Sequence, residues 1–191
     1  MGFADLKKHL EESESLSHKW FYPQDGESNI RLVSDFVQMY KKWDGGKTKV
    51  VPDRAVNEEK VTVRFACWCY VEGEEVDGPR FRLFEFGEVL LKEFDRIINE
   101  FDIDVTDMSD LRDYIITITR ETKEEKGRMN TVYSAKATDK KPFADELCEE
   151  ADKLENIEDV VSSLKEKAEE AYRIEETWKS IDSERSEVKP F

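Results

Sequence analysis

Apolar and polar positions alternate most cleanly from Val61 to Val71. Val61, Val63, Phe65, Cys67, Cys69 and Val71 fall on one side of an extended chain, and Thr62, Arg64, Ala66, Trp68 and Tyr70 on the other. This predicts a strand with the first set facing a core. The second side carries Arg, Trp and Tyr where a solvent-facing strand ordinarily carries Thr, Lys and Glu. Arg80 to Phe86 predicts another strand, reached through a turn that contains Gly73 and Gly78. Upstream, Asn29 to Trp43 alternates imperfectly, with Ile30, Leu32, Phe36, Met39 and Tyr40 among Arg31, Ser34 and Gln38. That stretch reads as one long kinked strand. It is entered through Pro23-Gln24-Asp25-Gly26 and left through Asp44-Gly45-Gly46-Lys47, both turn signals. A basic, flexible segment follows, through Lys47, Lys49 and Arg54.

From Glu88 to Phe101 the period changes to that of a helix. Val89, Leu90, Phe94, Ile97, Ile98 and Phe101 recur at three- and four-residue steps. An acidic loop around Asp102 to Asp110 follows. Tyr114 to Arg120 and Arg128 to Ala137 then predict two strands around a polar turn. Three strands, a helix and two strands is the order of a five-stranded OB-fold barrel with its helix between strands 3 and 4. Lys140-Lys141-Pro142 marks a boundary. Beyond it, Leu147, Ala151, Leu154, Val161, Leu164, Ala168, Ala171 and Trp178 predict one long helix, with breaks, from Phe143 to about Ile181.

The expected fold is therefore mostly β with appended α: an OB-fold barrel over 20–142 and an acidic amphipathic helical region over 143–182. A short arm or helix over 1–19 precedes them, and a flexible tail over 183–191 follows. The C-terminal stripe either packs along its own barrel or pairs with a second copy to make a homodimer.

Charge changes this picture. The 191 residues carry 30 Lys+Arg against 45 Asp+Glu, a formal net charge of -15. Such a chain cannot bind nucleic acid through its overall field, so any such binding needs a local patch. From Phe143 onward there are 7 Lys+Arg and 16 Asp+Glu, so the acidity concentrates in the C-terminal quarter. An aromatic share of 11% argues against a disordered chain. No apolar run has the length of a membrane span or of a signal peptide, which reads as a cytoplasmic protein. Cys67, Cys69 and Cys148 read as free thiols of a reducing compartment.

Catalytic constellations are sparse. His9 and His18 both sit in the N-terminal arm, and no Ser/His/Asp or Cys/His set assembles. Cys67-x-Cys69 lacks zinc-knuckle spacing, and no cofactor is expected. An enzyme with a metal held by the acidic run Asp102, Asp104, Asp107 and Asp110 would lack a base or nucleophile beside it.

The positive signal is aromatic residues interleaved with basic ones. Tyr40 and Trp43 flank Lys41 and Lys42, with Lys47 and Lys49 beyond the glycine turn. Arg64, Trp68 and Tyr70 share one strand face, and Arg80 and Arg82 alternate along the next strand. Arg120, Lys123, Arg128 and Tyr133 border the last turn. Rings of this kind stack on bases while Lys and Arg track phosphates, without sequence preference. For Trp68 and Tyr70, stacking and core packing are both open. The competing reading is an acidic protein-interaction module, or a DNA mimic, that binds a basic protein.

A family resemblance adds to this. Trp20-Phe21-Tyr22-Pro23-Gln24-Asp25-Gly26-Glu27-Ser28-Asn29-Ile30-Arg31-Leu32 is similar to the opening strand of tailed-phage single-stranded-DNA-binding proteins. Pro79-Arg80-Phe81-Arg82-Leu83-Phe84-Glu85-Phe86-Gly87 resembles their third strand. Asp113-Tyr114-Ile115-Ile116-Thr117-Ile118-Thr119-Arg120, with Asn130-Thr131-Val132-Tyr133, resembles their closing hairpin. The resemblance covers roughly residues 20–142. It implies an OB-fold that binds single-stranded DNA non-catalytically in bacteriophage DNA replication or recombination, within the host cytoplasm. The zinc subdomain of some members has no counterpart here. The acidic C-terminus ending at Pro190-Phe191 resembles tails through which such proteins contact replication partners.

Overall fold

The structure is a computed structural model and describes residues 20–57, 60–73, 79–104, 108–125 and 127–187. The arm read over 1–19, both histidines, Asp107, Pro190 and Phe191 lie outside the described residues. The chain divides into two compact units. One runs to Val37 and again from Phe65 to Ile157, and the other holds Gln38–Arg64 and the chain from Glu158 onward.

The first unit is a mixed, open sheet with short helices. Its strands are β1 (Trp20–Phe21) and β2 (Gly26–Leu32), then, beyond the second unit's β3 (Val37–Asp44) and β4 (Lys47–Val51), β5 (Thr62–Val71) and β6 (Phe81–Phe86), and lastly β7 (Tyr114–Glu125) and β8 (Arg128–Lys140). The pairing order is β1-β6-β5-β2-β7-β8. β1 runs parallel to β6, with Trp20 opposite Leu83 and Phe21 opposite Phe84, and the other neighbours are antiparallel. The closed five-stranded barrel expected from strand order is not what the pairing makes. Among the described residues the sheet stays open. β1 takes the free side of β6. On β8, Arg96 Nη2 donates to the Ala135 carbonyl at 2.8 Å, so a side chain satisfies that carbonyl. Arg96 belongs to α1 (Glu88–Glu100), which follows β6 and buries Leu90, Phe94 and Ile97.

The core lies on one face of this sheet. Ile30, Leu32, Cys67, Cys69, Phe84, Phe86, Ile116 and Ile118 are fully or almost fully buried there. Phe94 from α1 sits 5.1 Å from Phe86, and Phe36 meets Phe86 edge-on at 5.3 Å. The alternation in sequence produces this face directly, since residues two apart point the same way.

The expected long strand from Asn29 to Trp43 is two strands, β2 and β3, separated at residues 33–36. The Ser34 hydroxyl accepts the Trp68 N–H at 2.7 Å, so a side chain replaces the ladder bond and the pairing stops. Residues 47–51, expected to be flexible, form β4, and the long C-terminal helix is broken. A five-residue helix α2 (Met108–Arg112) precedes β7, α3 (Asp145–Ala151) follows β8, and α4 (Ile157–Glu187) ends the described chain. No helix among the described residues is long and apolar enough to cross a membrane.

The second face of the sheet is covered as well. Arg31 is only 2% exposed, yet it is charged. Its Nε pairs with Glu72, and its Nη1 donates to the Arg112 carbonyl at 2.9 Å and the Lys141 carbonyl at 2.6 Å. Its guanidinium lies 5.3 Å from the centre of the Phe143 ring. Lys141 N–H donates to the Asp113 carbonyl at 2.8 Å, and Phe143 N–H to the Asp113 carboxylate at 2.9 Å. One guanidinium thus draws the Lys140–Phe143 crossing down onto β2 and β5.

Two outcomes follow. Replacing Arg31 with Met strands Glu72 and two backbone carbonyls, and urea unfolding should show a loss of about 3 kcal/mol. Burial pushes the Cys67 and Cys69 thiols well above their ordinary range, whereas Cys148 is half-buried. With the thiolate as the reactive form, a chromogenic disulfide reagent at pH 8 should titrate Cys148 first and reach the other two only on unfolding.

Candidate nucleic-acid interface

The residues singled out as basic-aromatic fall into three groups. The first lies in the second unit, on the hairpin of β3 and β4. Lys41 stands opposite Val50, Lys42 opposite Lys49, Trp43 opposite Thr48 and Asp44 opposite Lys47. Gly45 and Gly46 close the hairpin with φ of 55° and 102°, the two consecutive positive values that a tight two-residue turn needs and that side chains oppose. Directly opposed residues share a face, so the hairpin has two. One carries Lys41, Trp43, Thr48 and Val50. The other carries Tyr40, Lys42, Asp44, Lys47, Lys49 and Val51.

The two faces differ in what meets them. α4 lies on the second. Tyr172 of α4 is buried with Val51 and Ala55, and Tyr40 packs against the same cluster. Lys42 Nζ sits 4.7 Å from the centre of the Tyr172 ring. Tyr40 accepts a hydrogen bond from Gln38 Nε2 at 2.7 Å. Lys49 pairs with Asp44 at 2.6 Å and reaches Glu175 at 3.6 Å. That contact holds the Asp44 carboxyl below its usual range and raises the Lys49 ammonium above its own.

Beyond β4, Arg54 Nε lies 2.8 Å from Glu169, and Nη1 lies 3.0 Å from Glu176. Glu169, Tyr172 and Glu176 are three and four residues apart, on one side of α4. Lys165 completes that side, 3.1 Å from Asp53. The other hairpin face ends in Trp43, which is 71% exposed, with Lys41 half-buried below it. Lys47 is exposed at the turn. Arg64 ends this unit's share of β5 and is half-buried.

The second group lies in the first unit, and the expectation of an open stacking face there is corrected. Trp68 is 8% exposed and Tyr70 6%. The segment after β8 covers them. Trp68 Nε1 donates to the Glu155 carbonyl at 2.8 Å, and Tyr70 meets Phe81 and Phe143 edge-on, each at 5.2 Å. Arg80 Nη1 donates to the Tyr70 hydroxyl at 3.2 Å. Arg82 Nε donates to the Pro79 carbonyl at 2.7 Å. In this arrangement no base can reach either ring.

The third group lies on β7 and β8. Arg120 stands opposite Tyr133, which packs against the core, and reaches the Pro23 carbonyl and Asp25, each at 3.4 Å. Lys123 pairs with Glu121, and Arg128 opens β8 opposite Glu125. Carboxylates beside Arg120 and Lys123 weaken this group as a phosphate track.

Sequence reading placed Arg54 in a flexible basic segment and missed its carboxylate clamp. The available signal was the seven-residue spacing of Glu169 and Glu176 around Tyr172, which marks a helix side but not its partner. Among the described residues, no group of three or more His, Cys, Asp or Glu side chains gathers as a metal site. The chain matches no protein-family model, and no curated protein matches it in sequence.

The hairpin geometry yields a direct test. Gly46→Ala forces a side chain into φ of 102° and should cost about 1 kcal/mol. Hydrogen exchange should then quicken at the amides of Lys42 and Trp43, while those of β7 stay protected.

Proposed function

We propose that the chain is a non-catalytic single-stranded-DNA-binding protein that acts in DNA replication or recombination, and that its stacking platform is the β3–β4 hairpin. The observation that carries this is Trp43. The ring is 71% exposed, on a glycine-turned hairpin whose same face carries Lys41. A base stacked on such a ring gains about 1–3 kcal/mol, and the lysines add a salt-dependent phosphate term.

The order β6-β5-β2-β7-β8, with α1 between β6 and β7, supports an OB-type reading of the first unit, left unclosed at its edges. It also agrees with the resemblance drawn from residues 20–142. Arg54 and Lys49 pair with α4 carboxylates, and Lys41 is the lysine that shares the Trp43 face. The rival reading, an acidic module that mimics DNA, is less well supported. Glu169, Glu175 and Glu176, which a basic partner would need, already face cations of their own chain.

Anisotropy of a labelled oligo-dT, titrated with the full chain at low and moderate salt, tests the proposal. Binding should weaken with salt by roughly 0.7 log units per phosphate contact for each log unit of salt. Trp43→Ala should weaken it about 5- to 100-fold with an unchanged melting temperature. Trp68→Ala should instead destabilise the fold by about 3 kcal/mol. Absence of salt-sensitive binding by the unaltered protein at low salt would sink the reading.

A further inference from the structure

β8 ends the sheet, and the direction of its backbone groups follows from its neighbours. Glu72 N–H donates to the Asn29 carbonyl at 2.9 Å, so Asn29 points toward β5. Successive residues of a strand send their N–H and C=O to opposite sides, so Gly26, Ser28 and Ile30 point toward β7. They stand opposite Arg120, Ile118 and Ile116, which therefore bond β2. The residues between and beyond these, Thr117, Thr119, Glu121 and Lys123, bond β8. Their partners Lys136, Ser134, Val132 and Asn130 point inward, which leaves Met129, Thr131, Tyr133 and Ala135 pointing outward. The Arg96 contact agrees, since it reaches the Ala135 carbonyl from that outer side. The outward N–H and C=O groups of Met129, Thr131 and Tyr133 have no backbone partner among the described residues.

Such an edge is ordinarily blunted by lysine, proline or a bulge. From Met129 to Ala135 there is no charged residue and no proline, and the register shift between β7 and β8 lies further on, at Ile115 and Ile116. Thr131, Val132 and Tyr133 are strand formers. Met129 is 68% exposed and Val132 48%. This edge is complementary to itself. About a two-fold axis at Thr131, two copies run antiparallel, with Thr131 of one opposite Thr131 of the other, Met129 opposite Tyr133 and Asn130 opposite Val132. Outward residues then meet only outward residues, and each such pair exchanges two backbone hydrogen bonds. Sliding the register one way sets Met129 against Ala135, whose carbonyl Arg96 already holds. Sliding it the other way sets Tyr133 against Gly127, before β8 begins. Thr–Thr pairs and sulfur–ring contacts of Met with Tyr both favour the central register.

We propose that the Met129–Tyr133 edge of β8 joins two copies of the chain into an antiparallel, two-fold dimer. No like charges oppose one another within the paired segment, so the net charge of -15 on each copy acts only through space, where salt screens it. A pairing this short is small for a permanent interface, so the association is reversible and depends on concentration. It does not depend on the DNA-binding hairpin.

Sedimentation of the full chain tests this, at about 0.15 M salt, where charges more than ~8 Å apart are screened. The weight-average mass should rise with concentration from 22.4 kDa toward twice that. Thr131→Lys and Thr131→Glu each set like charges face to face at the axis, and each should weaken association about tenfold or more. An equal mixture of the two should restore it, since Lys then opposes Glu, which happens only when the strand pairs with its own copy in this register. Thr131 is exposed, so both variants should melt with the unaltered chain at concentrations where all are monomers. Trp43→Ala should leave the dimer intact, which separates this edge from the DNA platform. A chain that stays monomeric up to millimolar concentration, a dimer that both Thr131 variants keep, or a mixture that stays monomeric would overturn the proposal. So would a dimer that Trp178→Ser dissolves and Thr131→Lys does not, since α4 would then be the joint.

Discussion

A single buried charge organises the first unit. Arg31 on β2 faces away from the hydrophobic core, and an open sheet would leave it in water. Instead its guanidinium meets Glu72, two backbone carbonyls from segments more than eighty residues downstream, and the Phe143 ring. A guanidinium has five donors in a fixed plane, so it can bind several acceptors at once where an ammonium could not. Burying it is tolerable only because those acceptors are supplied. Once they are, the chain after β8 must cross β2 and β5, and that crossing closes over Trp68 and Tyr70. The buried cation and the covered rings are one event.

The second unit shows the opposite use of charge. Its ion pairs are exposed, and exposed pairs contribute little to stability. Their effect is on what the surface offers. Asp44, Glu169, Glu175 and Glu176 neutralise Lys49 and Arg54 from one side of the hairpin. The Tyr172 ring takes the Lys42 ammonium on that same side. The Trp43 side carries Lys41 and an exposed ring. α4 makes its contacts with one side of its cylinder.

Much of the secondary structure was legible because periodicity is local. β5, β6, α1, β7 and β8 lie where alternation and helical spacing put them. The Gly45-Gly46 turn was legible too, since only glycine accepts both dihedral values. Three features were not. The break between β2 and β3 depends on the Ser34 hydroxyl meeting Trp68, thirty-four residues away. β4 was hidden because Lys47-Thr48-Lys49 has the composition of a loop, and its pairing with β3 and cover by Tyr172 are what make it a strand. The edges of the sheet involve β1 and Arg96, neither of which announces a partner in sequence. Among the candidate site residues, those from Tyr40 to Lys49 lie on one hairpin, although Lys47 and Lys49 were read as a flexible segment. Trp68 and Tyr70 did not stay exposed, because a strand's two-residue period says which residues share a face and not what lies above it.

The sequence by itself determined β5, β6, α1, β7 and β8 and their order, the core face of the sheet and the acidity of the C-terminal quarter. Each follows from spacing or composition over a dozen residues or fewer. Only the tertiary structure decided which aromatic residues are surface and which are core. That choice rests on long-range contacts, Arg31 with Lys141 and Arg54 with Glu169, whose partners carry no mark of one another along the chain. A tryptophan between lysines and a tryptophan on an alternating strand look alike until the chain folds back over one of them.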